Sequence, residues 1–237
     1  MPLDLLVFGP HPDDIEIGMG GTVALHARRG DRVGLVDLTR GELGSNGTPD
    51  DRVAEAAEAS AVLGAVLRLN QALPDGCQSV DDENQVDAVV RCVRAHRPRA
   101  IAIPHWDDRH PDHGNASRLL RQAIFRAGLR RVVTVEEPWR AEWVCHYFIN
   151  DAATPSFVVD VSDAYEIKRR ALACHVSQFA PAGQSAVQTR LTSARFVQLI
   201  ESRDAQFGAL AGVAFAEGVV VREPVVRPHL FRRWDDK

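Results

Sequence analysis

The sequence has no hydrophobic run long enough to cross a membrane, since none approaches the roughly 20 consecutive apolar residues that a transmembrane helix requires. An apolar, strand-like run begins almost at the N-terminus, with no charged leader followed by a cleavage site. We therefore expect a cytoplasmic protein that does not act at a membrane.

The sequence also lacks a cysteine framework and a surplus of basic charge. Its four cysteines, Cys77, Cys92, Cys145 and Cys174, are widely spaced and form no paired-ligand or redox motif. We expect them to be reduced and mostly buried thiols. The formal net charge of −4 gives no basic footprint for nucleic acid, so we expect no nucleic-acid partner.

Length and composition are those of an ordinary globular domain. The chain has 237 residues, of which 45% are hydrophobic and 25% are charged. We predict one domain over 1–237, because no repeat, low-complexity tract or linker interrupts the sequence. Short apolar runs alternate with helix-forming segments, and this predicts an α/β fold: a Rossmann-like, three-layer sandwich with a mostly parallel sheet and helices on both faces.

The boundaries of these elements follow from apolar periodicity and capping residues. The predicted strands are 3–8, 32–38, 66–69, 100–103, 143–149 and 156–161. The predicted helices are 19–29, 52–63, 82–96, 115–127, 163–174 and 192–210. Asp51 and Asp163 are expected as N-caps of their helices.

Two polar clusters follow predicted strands, at 11–14 (His-Pro-Asp-Asp) and at 110–113 (His-Pro-Asp-His). Open α/β sheets bind ligands at the carboxyl ends of their strands, so the two clusters can meet in one crevice. In each cluster the outer residues are three apart, which in a helical first turn places both side chains on one face. Two histidines and one carboxylate can hold a divalent metal with a position left open for water. We assign His11, Asp14 and His113 as the ligands.

The remaining residues of the clusters make a catalytic interpretation possible. Asp13 can take a proton from a metal-activated water. His110 can stabilise an oxyanion or protonate a leaving amine, and Asp112 can orient a neighbouring imidazole. Two alternatives stay open: each cluster alone resembles a turn with a capping aspartate, and the same ligands can hold Fe(II) in an oxygenase.

These residues resemble the PIG-L/LmbE-like family of metal-dependent N-deacetylases, whose two hallmark motifs stand unaltered at 11–14 and 110–113. The similarity extends through 15–21, 37–48 and 107–115, with later matches at 177–179 and 216–218. It is closest to the branch that removes acetate from N-acetylglucosaminyl malate in bacillithiol biosynthesis. The resemblance implies hydrolysis of that compound to glucosaminyl malate and acetate.

The resemblance also implies roles for individual residues. His11, Asp14 and His113 would bind the metal, usually Zn²⁺ with Fe²⁺ as the alternative. Asp13 would be the general base and His110 would stabilise the tetrahedral intermediate. The assembly implied is a homo-oligomer such as a homohexamer.

Substrate contacts are expected from the loop at 40–50 and from the helix that follows it. Glu42, Ser45 and Asn46 can hydrogen-bond to sugar hydroxyls. Arg52 matches a substrate-contacting arginine of the family, and its guanidinium suits a carboxylate such as that of malate. The region 179–192 is a variable loop where substrate choice can be tuned.

Other functions remain as alternatives. Within hydrolases, the chain could be an amidase of glucosaminyl thiol conjugates or a deacetylase of another N-acetylglucosamine derivative. The glycines at 18, 20 and 21 suggest a nucleotide-binding loop, but they lack the G-x-G-x-x-G pattern. A metal- or sugar-binding protein without activity would not need Asp13. We expect His146, Tyr147 and His175 to serve packing, and the tail at 232–237 to be frayed or to form an oligomer contact.

Overall fold

A computed structural model describes residues 1–183 and 186–226, so the predicted role of the tail at 232–237 lies outside the described residues. The strands are β1 (Leu5–Gly9), β2 (Val33–Asp37), β3 (Leu67–Asn70), β4 (Ala100–Pro104), β5 (Trp143–Tyr147), β6 (Phe157–Asp160) and β7 (Ala216–Val220). The helices are α1 (Asp14–Arg28), α2 (Pro49–Leu63), α3 (Glu83–His96), α4 (Pro111–Ala127), α5 (Tyr165–Ala173), α6 (Val176–Phe179) and α7 (Ala194–Ala211), with a 3₁₀ turn at Ser162–Ala164.

The seven strands form one sheet in the order β3-β2-β1-β4-β5-β7-β6. The first five strands in this order are parallel, and β7 runs antiparallel to both β5 and β6. The chain winds outward from β1 to β3 and then returns to place β4 on the other side of β1. This reversal creates a crevice at the carboxyl ends of β1 and β4, where doubly wound sheets bind their ligands.

Helices cover both faces of the sheet, which confirms the predicted three-layer architecture. In β1, Leu5 and Val7 pack into one apolar cluster, while Leu6 and Phe8 pack into another on the opposite face. Helices α1, α2 and α5 contact one another on the first side, and α3 and α4 contact one another on the second. The central strands are therefore buried on both faces, as parallel strands usually are.

Glycines let α1 approach the sheet closely. A Cβ atom on Gly18 would lie 2.3 Å from the ring of Tyr147 and 2.5 Å from the carbonyl oxygen of Phe148. The phenol of Tyr147 passes under this helix and donates a hydrogen bond to the carbonyl of Phe8, at 2.8 Å. Tyr147 is thus a packing residue, as expected.

A buried ion network fastens the C-terminal elements to α1. The ammonium of Lys168 lies 2.6 Å from Asp204 and 2.7 Å from Glu217, and all three side chains are fully buried. Glu217 also accepts hydrogen bonds from the backbone N–H groups of Gly21 and Thr22. One lysine on α5 therefore joins α7, β7 and, through Glu217, the glycine-rich part of α1.

Several predicted boundaries were wrong because local capping decides them. Helix α2 begins at Pro49 and is capped by Thr48. Asp51, the third residue of the helix, forms the capping box with Thr48. Helices α1 and α4 begin at Asp14 and Pro111, four or five residues earlier than predicted. The residue before α5 is Ala164, so Asp163 is not its N-cap.

The sequence analysis also missed a strand. Strand β7 was not predicted, because Ala216–Val220 is short and contains a buried glutamate and a glycine. In the part of the chain that the structure describes, no helix has the length and apolarity to span a bilayer.

Candidate metal centre

The two polar clusters meet at the crevice between β1 and β4. These strands are neighbours and parallel, with Leu5 opposite Ala100, so the segments that follow them leave the sheet side by side. The first cluster forms a tight turn in which Asp14 accepts a hydrogen bond from the backbone N–H of His11, at 2.9 Å. In the second cluster, His110 occupies the N-cap of α4 and Pro111 its first position. The predicted convergence of the two clusters is therefore present.

The three predicted ligands form a compact buried group. Asp14 Oδ2 lies 3.0 Å from His11 Nδ1 and 3.4 Å from His113 Nε2. One ligand atom from each residue lies within 4.8 Å of the other two. Two nitrogens and one carboxylate oxygen at such separations match the donor set of a catalytic divalent metal site.

The charge around these residues also fits a cation. Burial lowers the pKa of His113, but Asp14 and Asp108 more than offset it and raise the value to about 9. The pKa of His11 is likewise raised, because Asp112, Asp14 and Asp75 together outweigh its burial. Four carboxylates thus lie around two imidazoles. A bound divalent ion would offset this excess of negative charge.

Two of the carboxylates were not singled out as site residues from the sequence. Asp108 Oδ1 lies 3.0 Å from His113 Nδ1, and Asp75 Oδ1 lies 3.0 Å from His11 Nε2. Carboxylates in such positions orient metal-binding histidines and fix their tautomers. Asp108 precedes the second motif by two residues. Asp75 belongs to a Pro-Asp-Gly turn. It follows β3 and so lies at the same edge of the sheet as the two clusters, which is the feature of the sequence that could have identified it as a site residue.

Asp13 lies beside the ligand group but outside it, in a strained conformation. Its φ of 126° is in the region that favours glycine. Burial raises the pKa of its carboxyl to about 6, although Arg52, 3.3 Å away, opposes the shift. A carboxylate with a pKa near neutrality can accept and return a proton at physiological pH.

His110 and Asp112 complete the arrangement. The Nδ1 atom of His110 accepts a hydrogen bond from the N–H of Asp112 at 3.3 Å, which leaves its proton on Nε2. Burial and the neighbouring charge of His113 lower the pKa of His110, which favours the neutral imidazole with Nε2–H as a donor. Asp112 lies 3.3 Å from His11 Nε2, where it can orient that imidazole.

The predicted substrate-binding residues have mostly protein partners. Arg52 is 5% exposed, and its guanidinium donates to the carbonyls of Gly41 (3.1 Å) and Pro12 (2.8 Å) as well as to Asp13. The Asn46 amide donates to the carbonyl of Val187 and accepts from its N–H. Glu42 and Ser45 remain exposed on the loop, and Glu42 accepts hydrogen bonds from the N–H groups of Arg40 and Asp75.

A second polar network, also missed from the sequence, lies behind the site. Arg68 on β3 binds Asp37 through two 2.8 Å hydrogen bonds and Glu16 through one of 2.5 Å. His175 is fully buried, with Nε2 3.4 Å from Glu16, so it packs against this network as well as against apolar neighbours. These contacts fix the first turn of α1, which carries Asp14.

Comparisons with known proteins agree with this geometry. The profile of the family described as "PIG-L: GlcNAc-PI de-N-acetylase" matches residues 6–124, which contain both polar clusters. The diacetylchitobiose deacetylase of Thermococcus kodakarensis is 30% identical over 191 residues, covering 74% of this chain and 70% of its own.

Solved structures show the same fold along almost the whole chain. The conserved protein TT1542 from Thermus thermophilus superposes with a TM-score of 0.88 at 38% identity, covering 98% of this chain and 100% of its own. GalB, the 4-carboxy-2-hydroxymuconate hydratase of Pseudomonas putida, has a TM-score of 0.78 at 22% identity, with 96% and 99% covered. The likeness to a hydratase shows the fold alone, so the reaction must be argued from the site.

Proposed function

Because the chain belongs to the PIG-L family of de-N-acetylases, we propose that it hydrolyses the N-acetyl group of N-acetylglucosaminyl malate. The products are glucosaminyl malate and acetate. The observation that carries this proposal is the buried group of His11, Asp14 and His113 with Asp13 beside it. Membership of this family identifies the chain as an N-deacetylase. That its substrate is the malate conjugate is our proposal.

The metal would be held by His11, Asp14 and His113, and we propose Zn²⁺, with Fe²⁺ as the alternative because both accept this ligand set. When bound, the ion supplies Lewis acidity that polarises the amide carbonyl and makes water easier to deprotonate.

The protein's own residues move the protons. Asp13 takes a proton from the attacking water as a C–O bond forms at the amide carbon. His110 Nε2–H donates a hydrogen bond to the developing oxyanion. Asp13 then returns its proton to the amide nitrogen as the C–N bond breaks, which releases the free amine and acetate. Its pKa of about 6 suits both directions of transfer.

The substrate class is supported by the family and by one relative. The family's description names an N-acetylglucosamine derivative, and the Thermococcus enzyme is named for diacetylchitobiose. The malate part is supported by the resemblance of segments 15–21 and 37–48 to the bacillithiol branch. Diacetylchitobiose is the second candidate substrate, favoured by the 30% identity to its deacetylase. An amidase of glucosaminyl thiol conjugates is the third.

Release of free amine from these compounds by Zn²⁺-loaded and Fe²⁺-loaded protein tests the proposal. We expect the malate conjugate to be turned over much faster than N-acetylglucosamine or diacetylchitobiose. Asp13→Asn should lower kcat by about 10²–10⁴-fold, while Asp107→Asn, an exposed residue close to the second cluster, serves as the control. Preference for diacetylchitobiose would overturn the malate assignment and keep the reaction. Stoichiometric metal without hydrolysis of any amide would overturn the reaction.

We also propose a homo-oligomer such as a homohexamer. Light scattering coupled to size-exclusion chromatography measures its mass directly. A monomer at micromolar concentration would contradict the proposal.

A further inference from the structure

A cleft of about 360 Å³ opens beside the candidate metal centre, at the end of β5 and against α7. Its lining includes Asn150, Asp151 and Arg190. A cleft of this volume can enclose a small polar group. It borders the site through Asn150, whose amide nitrogen lies 3.4 Å from His113 Nδ1 and 3.1 Å from Asp108 Oδ1.

Arg190 is connected to the metal centre by this asparagine. Its guanidinium donates to the Oδ1 atom of Asn150 at 3.3 Å. The same group lies over the ring of Phe196, 5.1 Å from the centroid, which fixes its direction. Arg190 is therefore three side-chain contacts away from Asp14, through Asn150 and His113, and within the described residues its other guanidinium N–H groups donate to no protein acceptor.

Arg190 and Arg109 place two positive charges near the cleft, and the carboxylates of Asp151 and Asp108 lie near them. Burial and the neighbouring charge of Arg109 lower the pKa of Arg190, and Asp151 and Asp108 oppose this shift. Among residues 1–183 and 186–226, neither guanidinium forms an ion pair with a carboxylate. The nearby carboxylates already have partners: Asp108 accepts from the N–H groups of His110 and Asn150, and Asp151 accepts from the N–H of Arg109.

Arg52, by contrast, is only 5% exposed and already has protein partners. Its guanidinium binds two backbone carbonyls and Asp13, and a Cβ on Gly41 would lie 1.8 Å from its Nη1 atom. The loop closes tightly around this group. A carboxylate on the substrate would have to displace contacts that shape the turn at Asp13.

We infer that Arg190, with Arg109 beside it, binds the anionic aglycone of the substrate and selects N-acetylglucosamine conjugates that carry a carboxylate. This inference rests on the proposed deacetylase function and names its specificity-determining residue. Arg190 holds the aglycone carboxylate in the cleft, and the acetamido group extends toward the metal centre. A guanidinium is suited to this task, since it can make two parallel hydrogen bonds to one carboxylate.

The test compares N-acetylglucosaminyl malate with its dimethyl ester, which has nearly the same shape and no charge. Wild-type protein should prefer the free acid in kcat/KM, and the preference should weaken as ionic strength rises. Arg190→Gln keeps a donor for Asn150 but removes the charge. It should lower kcat/KM for the free acid about tenfold or more, mostly through KM, and leave the ester unchanged.

Two further variants separate charge from structure. Arg190→Lys should restore much of the preference, because it keeps the charge. Arg195→Gln, which removes an exposed arginine on α7, should behave as wild type. Equal losses on both substrates in Arg190→Gln would overturn the inference, since they would mean that Arg190 acts only through Asn150 and His113.

The wild-type result distinguishes this inference from the proposed function. Equal turnover of acid and ester would keep the deacetylase and overturn charge selection by Arg190. No turnover of either conjugate would overturn the malate assignment together with the selection built on it.

Discussion

The floor and the rim of the site use their polar side chains differently. By floor we mean the metal centre built from 11–14 and 108–113, and by rim the loops at 40–48 and 186–192. On the floor, carboxylate oxygens lie 3.0–3.4 Å from imidazole nitrogens. This arrangement suits the binding of a cation. On the rim, polar groups are largely engaged with backbone, as Asn46 is with Val187.

Because of this difference, a short sequence motif can predict the residues of the floor but not the contacts of the rim. Each half of the floor follows directly from a strand end, so neighbouring residues in sequence remain neighbours in space. The rim joins segments about 140 residues apart, and the job of a polar side chain there depends on which loop it meets. Arg52 belongs to both regions, since it touches Gly41 on the rim and Asp13 on the floor.

Replacing Arg52 should have the largest effect, because this residue contacts both the floor and the rim. Arg52→Gln removes the clamp on the strained turn at Asp13 and leaves buried carbonyls short of donors. We expect kcat to fall about 10- to 100-fold on both the malate conjugate and its dimethyl ester. Steady-state kinetics on the two substrates measures this, with Arg91→Gln, on an exposed part of α3, as the matched control. A rise in KM confined to the free acid would return Arg52 to the role of a substrate-binding residue.

Asn46→Ala should have a smaller effect, confined to the rim. Two hydrogen bonds to Val187 are lost, which costs about 1–3 kcal/mol. We expect faster hydrogen exchange at 186–188, a KM raised a few-fold by the looser loop, and an unchanged kcat. Asn84→Ala, at an exposed asparagine on α3, is the matched control. Unchanged exchange at 186–188 would show that these bonds do not hold the loop.

The mildest test concerns neither region directly but the ion network that supports α1. Burial raises the pKa of Asp204, but Lys168 and Arg203 more than offset it, and the folded value lies below the usual one. The charged carboxylate therefore stabilises the fold above about pH 4, and this contribution is lost as the pH falls through the lower folded value.

We expect the free energy of unfolding, measured in urea from pH 6 to pH 3, to decline on the acid side. Asp204→Asn should flatten that decline, whereas Asp163→Asn, at an exposed position, should not. An identical slope in Asp204→Asn and wild type would assign the acid sensitivity to other carboxylates.

Much of the floor could be predicted from the sequence, because its information is local. The Gly-Pro and Pro residues that end two strands indicated where the clusters lie. The spacing of three within each cluster then led to the assignment of His11, Asp14 and His113 as ligands. The error was in the supposed helical turn: His11 precedes α1, and Asp13, with its positive φ, makes the bend. The backbone conformation of one aspartate cannot be inferred from apolar periodicity.

The supporting residues were harder to predict, because they depend on pairings distant in sequence. Asp75 has the sequence context of a plain turn residue, and only the position of β3 places it opposite His11. Arg68 has the pattern of a strand residue facing solvent, yet it is buried between Asp37 and Glu16. Arg190 lies in a segment with no periodic pattern, and only the contact with Asn150 distinguishes it from other arginines.

The sheet order has a consequence for how the chain is made. Strand β6 pairs with β7 and with no other strand in the described parts of the chain, although β7 comes more than 50 residues later. During synthesis, the segment at 157–160 therefore leaves the ribosome without a neighbour to pair with. The parallel part of the sheet can assemble early, while the last edge must wait for residues 216–220. Because such distant pairing is slow, the exposed edge of β5 is the surface that most needs protection in the unfinished chain.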